Sequence, residues 1–208
     1  MMMIKRLTTG YLGTNTYMVI NDDTKEAVII DPADIPANLR AYIAKEGLEI
    51  KAILLTHAHF DHITGLDKAI EIYGQMPVYV GKQDLELLHN EVLNESLTFG
   101  KEYTYDGGDA IYDGQVLSVI GCDFKIIHTP GHTPGGVCYY LESEEVLFSG
   151  DTLFRASVGR TDFRASNHSD LVHSIREKLF ALPEDTMVYP GHMGATTIGF
   201  EKKHNPFV

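Results

Sequence analysis

The opening of the chain alternates apolar and polar positions and is rich in β-branched residues. Ile4 to Leu7, Thr16 to Ile20 and Ala27 to Ile30 therefore predict strands. Between the last two, Asn21-Asp22-Asp23 predicts a hairpin turn, because short carboxyl and amide side chains satisfy turn amides. From about Pro36 the period changes. Ile35, Leu39, Tyr42 and Ile43 fall on one helical face, and Gly47 stops that helix. Ala52 to Leu55 is a short apolar run that predicts a buried strand. Leu66, Ala69, Ile70 and Tyr73 predict a second helix ending at Gly74. Met76 to Val80 predicts a strand, and Asp84 to His89 a helical turn or more.

The second half repeats this style. Val116 to Ile120, Phe124 to Ile127, Val137 to Leu141 and Val146 to Phe148 predict strands. Leu171, Val172, Ile175, Leu179 and Leu182 then mark a helix with Ser169 or Asp170 as its cap, and Thr186 to Tyr189 predicts a last strand. Strands dominate and helices are interspersed in both halves. That pattern suggests two packed sheets with helices outside, and a doubly wound sheet is the competing reading of the same pattern. No low-complexity tract or Pro/Ser-rich linker interrupts the chain, so residues 1–208 are expected to form one domain.

Composition narrows the function classes. Lys and Arg number 17 against 29 Asp and Glu, a formal net charge of −12. Such a balance disfavours a general nucleic-acid binder and a membrane-surface protein, both of which rely on clustered basic residues. At 44% hydrophobic and 22% charged the chain is globular rather than disordered. Cys122 and Cys138, the two cysteines, are too few for a disulfide scaffold and are expected to be buried small hydrophobes. The start lacks a signal-peptide core, and no apolar run approaches the roughly 20 residues that span a bilayer, so a cytoplasmic location is expected.

Candidate chemistry concentrates in Thr56-His57-Ala58-His59-Phe60-Asp61-His62, where four potential ligands fall within six residues. Residues two apart share a side only in extended backbone, so His57 and His59 suit one metal in a loop continuing Ala52 to Leu55. Asp61 and His62 then turn toward a neighbouring position. Three further candidates follow apolar strands directly, each in a Gly- or Pro-containing turn: His132 in Pro130-Gly131-His132, Asp151 in Gly150-Asp151, and His192 in Pro190-Gly191-His192. Strand ends of this kind can converge on one mouth. Imidazole and carboxylate suit zinc, iron and manganese, and no cysteine accompanies them, which argues against a structural thiolate zinc site. A lone loop histidine is ordinarily solvated or hydrogen-bonded, so His89, His128, His168, His173 and His204 receive no role; His128 could support the turn that carries His132, but a plain structural role is the preferred reading. Searches for a phosphate-binding glycine loop, a dinucleotide fingerprint and a serine-hydrolase elbow find none.

With these motifs in this order, the chain resembles the metallo-β-lactamase-fold superfamily and, within it, the glyoxalase II-like hydrolases. The resemblance runs from Asn15-Thr16-Tyr17 and Ile30-Asp31-Pro32 to Asn205-Pro206-Phe207. It implies an α+β fold, a four-layer αββα sandwich of two mixed sheets with a dinuclear metal site at one sheet edge. Carried over, His57, His59 and His132 hold one metal, Asp61, His62 and His192 the other, and Asp151 bridges them. Asp31 matches a family aspartate that orients a ligand from behind, and a simple turn role is the alternative. Zinc is the implied metal, with iron or manganese as alternatives.

The exported β-lactamases of this fold carry cysteine where Asp151 stands, and the redox di-iron relatives carry glutamate where His59 stands, so both fit poorly. The tRNA-processing relatives need an RNA-gripping arm that is not evident here. The ending resembles the short bacterial glyoxalase II-type hydrolases, which lack the glutathione-binding helical extension. The implied reaction is hydrolysis of an anionic thioester such as S-D-lactoylglutathione by a hydroxide shared between the metals, with Asp61 orienting it or taking a proton. Arg160, in Gly159-Arg160-Thr161-Asp162-Phe163, falls where a glutathione-contacting residue is expected, while Asp162 replaces a tyrosine. The same string occurs in persulfide dioxygenases with one iron, which is the alternative activity, alongside hydrolysis of another ester or lactone.

Overall fold

The computed structural model describes residues 1–208. Six strands, β1 (Met2–Thr9), β2 (Thr14–Asn21), β3 (Glu26–Ile30), β4 (Glu49–Leu54), β5 (Val78–Gly81) and β6 (Asp109–Ile111), form one sheet in chain order. β1 to β3 are an antiparallel meander, and β3 to β6 pair in parallel. A second sheet contains β7 (Val116–Val119), β8 (Cys122–His128), β9 (Val137–Leu141) and β10 (Val146–Gly150) as an antiparallel run. The ribbon β11 (Leu153–Phe154) and β12 (Ser157–Val158) follows. The second sheet is completed by β13 (Met187–Pro190), parallel to β10, and β14 (Thr196–Thr197) on its far side. Two mixed sheets replace the single doubly wound sheet that the pattern also allowed.

Alternation along the strands builds the layers. In β2, Tyr17 and Val19 point between the sheets, where they meet Phe124, Tyr139 and Phe148 of the second sheet. Met18 and Ile20 point the other way, onto Leu39 and Ile43 of α1 (Ala37–Glu46), and toward Leu66 and Ala69 of α3 (Leu66–Tyr73). On the far side, Cys138, Tyr140 and Leu147 pack against Leu171 of α5 (His168–His173), Ile175 and Leu179 of the π-turn Ser174–Leu179 that extends it, and Ile198 of α6 (Ile198–His204). Both faces of β2, β3, β9 and β10 are covered, which is why these strands read as nearly continuous apolar runs. The result is the αββα order α1/α3, sheet, sheet, α5/α6.

Local signals explain most boundaries. Asn21 Oδ1 accepts the amides of Asp23 and Thr24 in the expected hairpin turn. Gly47 ends α1 in the left-handed conformation at φ 65°. The cap of α5 differs from expectation: Asn167, not Ser169 or Asp170, takes that position and accepts the Asp170 amide at 3.2 Å. Asp170 lies inside the first turn as the donor rather than the cap. Both cysteines are free and buried. No helix is long and apolar enough to cross a membrane.

Candidate metal centre

Parallel pairing brings strand ends to one edge. β3 and β4 run together, so Asp31, just past β3, lies beside Thr56 and His57, just past β4. β10 and β13 run together, so Asp151 and His192 emerge side by side. The chain after β4 passes through His57 to His59, whose backbone is extended, and then enters the short α2 (Phe60–Ile63), which carries Asp61 and His62. His132 comes from the turn between β8 and β9. Two glycines allow the crowding. A Cβ on Gly150, at φ 49°, would lie 2.3 Å from Thr56 Oγ1, and a Cβ on Gly191 would lie 2.3 Å from Asp151 Oδ1.

The sequence-predicted residues come together. Donor atoms of three groups, His57/His59/His132, His57/His62/Asp151 and Asp61/His62/His192, lie within 4.8 Å of one another inside each group. His59 Nδ1 faces His132 Nε2 at 2.8 Å. His62 Nε2 is 3.6 Å from Asp61 Oδ2 and 3.5 Å from Asp151 Oδ1. Asp151 Oδ2 lies 3.7 Å from His132 Nε2 and 3.6 Å from His192 Nε2, so one carboxylate stands between the two histidine sets.

Outer contacts fix which nitrogens face inward. His132 Nδ1–H donates to the Arg160 carbonyl at 2.7 Å, which turns Nε2 into the cluster. His62 Nδ1–H donates to Asp31 Oδ2 at 3.0 Å, and Asp31 also accepts the Thr56 amide at 2.8 Å and hydroxyl at 2.6 Å. Orientation of an imidazole by a carboxylate or carbonyl behind it is what metal sites use. His57 Nε2, His62 Nε2 and Asp151 Oδ1 are buried without any hydrogen-bond partner. Buried polar atoms are normally satisfied, so these three inward-facing orphans, in an all-imidazole and carboxylate set, fit divalent cations.

Electrostatics divide the cluster. Burial, reinforced by neighbouring imidazoles, holds His57 and His59 well below the usual histidine range, and burial also lowers His132. These three are neutral and ready to donate lone pairs. His62 goes the other way: burial pushes it down, but Asp61, Asp151 and Asp31 outweigh that and raise it to about 10. Burial would raise Asp61, yet His62 and His192 hold it below the ordinary carboxylate range. His192 is raised against the effect of burial by its 3.2 Å contact with Asp61 and by Asp151.

The cluster forms the floor of a cleft of about 300 Å³ whose walls include Phe60, Phe99, Phe154 and Phe163. Arg160 lies at its mouth. Its exposed guanidinium pairs with both Asp162 oxygens, at 3.0 and 2.8 Å, and lies 4.6 Å over the Phe163 ring. His128 is hydrogen-bonded to the Pro134 carbonyl at 2.8 Å, so it does brace the turn that carries His132.

Three contributors were not legible as functional. Thr14 Oγ1 donates to Asp61 Oδ2 at 3.0 Å, and Asn15 Nδ2 donates to the Pro190 and Met193 carbonyls at 3.0 and 2.9 Å, pinning the His192 turn. Asp84 is fully buried and accepts hydrogen bonds from two ligand loops. Threonine and asparagine at a strand start carry no signal of such a role. Asp84, directly before the Leu85-Glu86-Leu87-Leu88 stretch, reads as a helix cap, and that reading conceals its contacts to the two loops.

A four-layer αββα sandwich with this His/Asp edge defines the metallo-β-lactamase fold. The family model described as Metallo-beta-lactamase superfamily matches residues 9–192, and the chain belongs to that superfamily as a metallo-hydrolase. Among relatives, it is 38% identical over 206 residues to "Probable metallo-hydrolase YqgX" of Bacillus subtilis, covering 98% of this chain and 96% of that one. It is 34% identical over 197 residues to "Hydroxyacylglutathione hydrolase GloC" of Haemophilus influenzae, covering 91% of each. Of solved structures, BLEG-1, described as a B3 metallo-beta-lactamase, superposes with a TM-score of 0.91 at 44% identity, covering 99% of both chains. TTHA1623 in a di-iron-bound form superposes with a TM-score of 0.86 at 37% identity, covering 98% of this chain and 100% of that one.

Proposed function

We propose that this protein is a dinuclear metal-dependent thioester hydrolase acting on a small anionic thioester, with S-D-lactoylglutathione as its model substrate. The observation that carries the reading is Asp151, whose Oδ2 lies 3.7 Å from His132 of one donor group and 3.6 Å from His192 of the other, with Oδ1 3.5 Å from His62. In this reading His57, His59 and His132 would hold one ion and Asp61, His62 and His192 the second, with Asp151 standing between the two groups. Zinc is the metal taken in this reading, and the di-iron form of TTHA1623 makes iron the principal alternative. Bound there, two divalent ions supply Lewis acidity and bring the pKa of coordinated water down toward about 7.

The chain's own residues supply the rest. Asp61 is held ionised, and its Oδ2 is fixed by the Thr14 hydroxyl, so it orients the attacking water toward the acyl carbon by accepting a hydrogen bond from its proton. The water oxygen joins the acyl carbon, the C–S bond breaks, and the proton leaves with the thiol. Phenylalanine walls exclude bulk water from the acyl and thiol arms. Arg160 contacts a substrate carboxylate in exchange for Asp162. Its exposure keeps this contribution small, so Arg160→Ala raises KM for a carboxylate-bearing thioester by no more than about fivefold and leaves kcat unchanged.

A persulfide dioxygenase with one iron would use His57, His132 and Asp151. The second group, Asp61/His62/His192, also has its donor atoms within 4.8 Å of one another, and this supports two ions rather than one. The GloC relative supports the thioester, and the BLEG-1 likeness makes a β-lactam the natural comparison substrate. Metal-loaded protein is expected to release thiol from S-D-lactoylglutathione far faster than it opens a β-lactam ring or consumes oxygen with glutathione persulfide. Background thiol release from protein of confirmed metal content would overturn the reading, as would preferred β-lactam cleavage.

A further inference from the structure

Two loops that approach the centre from different sheets share one carboxylate. Asp84 follows β5 in a 3₁₀ turn (Lys82–Asp84), at the position that caps α4 (Leu85–Leu88). An aspartate there ordinarily accepts an amide of its own helix. Asp84 does not: its side chain makes no capping bond. Its Oδ2 accepts the Ala58 amide at 3.0 Å and the Thr133 hydroxyl at 2.8 Å, and its Oδ1 accepts the Gly135 amide at 2.6 Å. Ala58 sits between His57 and His59, and Thr133 follows His132. A single oxygen atom therefore joins the His57/His59 loop to the His132 loop.

The surroundings are built for that contact. Asp84 has no solvent exposure and forms no salt bridge, so its charge is balanced only by the three donors. A buried carboxylate in that condition is costly unless those bonds are made together. The backbones touch as well. A Cβ on Gly135 would lie 2.2 Å from the Asp84 nitrogen, and a Cβ on Gly81 would lie 1.9 Å from the Gly135 carbonyl oxygen. Glycine at both positions lets the exit of β5 reach the His132 turn.

We propose that Asp84 is a positioning residue that locks His57, His59 and His132 into one metal-binding geometry, acting through the backbones on either side of them. This rests on the reading that those three histidines hold an ion. Bonds of this kind behind metal ligands change affinity by about 10–100-fold. Asp84→Asn keeps an oxygen for Ala58 and Thr133 but turns an NH₂ group toward the Gly135 amide. Asp84→Ala removes all three bonds. The order of metal affinity at this position is wild type, then Asn, then Ala, while the Asp61/His62/His192 position keeps its ion.

The test titrates the metal-free full-length protein and both variants with Co²⁺, whose visible spectrum reports ligand geometry, and follows backbone amide exchange in the metal-free state. In wild type, two equivalents bind. In Asp84→Asn, one equivalent weakens by at least about tenfold and its spectrum changes, while amide exchange speeds up at Ala58 and Gly135 and not in β13. Wild-type affinities and spectra in Asp84→Asn would overturn the proposal. Should wild type itself bind no ion at the three histidines, the metal reading fails separately, and exchange decides the clamp: unchanged rates at Ala58 and Gly135 overturn it. Asp84→Asn carries the test alone if Asp84→Ala does not fold.

Discussion

The histidines of this centre differ in proton affinity because their neighbours differ. His57, His59 and His132 are lowered mainly by burial, whereas His62 is raised to about 10 by three carboxylates. A cation entering beside His62 must displace a proton, and one entering among the other three need not. As pH falls, the ion at Asp61/His62/His192 should therefore leave first. Metal content after dialysis at stepped pH is expected to pass through a one-ion plateau, and simultaneous loss of both ions would contradict this. The sign for stability in metal-free protein also follows. Histidines with lowered folded values bind protons more readily unfolded, so they cost stability as pH drops below about 6.5. The raised His62 contributes stability that is fully present below about 6.5 and lost as pH climbs through about 10. Asp31 explains part of the asymmetry, since it fixes the His62 Nδ1 proton and both Thr56 donors. Asp31→Asn is expected to weaken the second ion by about 10–100-fold and to lower folding stability by about 1–3 kcal/mol. Calorimetric metal titration and denaturant unfolding measure the two effects.

At the scale of elements, legibility followed periodicity. The runs in β2, β3, β4, β9 and β10 were readable because both faces are buried and the strands are bounded by turn residues. The proposed ligands were readable by their place after strands: His57 past β4, His132 past β8, Asp151 past β10 and His192 past β13, with Asp61 and His62 legible from the His57/His59 motif alone. β11, β12 and β14 span two residues each, too short to show any period. α6 was hidden by an inverted pattern. Glu201 is buried, accepting bonds from Ala156, Thr196 and Asn205, while Phe200 on the same short helix is 37% exposed. The π-turn after α5 likewise departs from a 3.6-residue period. Packing between elements also sets a sharp constraint at Gly131, where φ is 143° and a Cβ would lie 2.3 Å from the Leu171 backbone. Gly131→Ala should separate the His132 turn from α5, costing about 2–4 kcal/mol through strain and overpacking. Thermal unfolding checks the cost, and an unchanged melting temperature with full metal content would show that the turn does not depend on this contact.

For the whole molecule, the sandwich converts remote sequence into one centre. The proposed ligands from residue 57 to residue 192 meet because parallel pairs β3/β4 and β10/β13 end at one edge, and because β2 reaches across to pin the His192 turn. The chain carries a net charge of −12, yet the floor of its cleft would be cationic once filled, since two divalent ions outweigh Asp61 and Asp151. On the proposed function, an anionic thioester would thus be drawn to the site by its ions and not by the protein surface. That dependence makes stoichiometry the most direct measurement. Metal-free protein is titrated with Zn²⁺ while thiol release from S-D-lactoylglutathione is followed. Activity should rise to a plateau as the second equivalent binds. A plateau after one equivalent, or no thiol release with both equivalents bound, would contradict the dinuclear hydrolase.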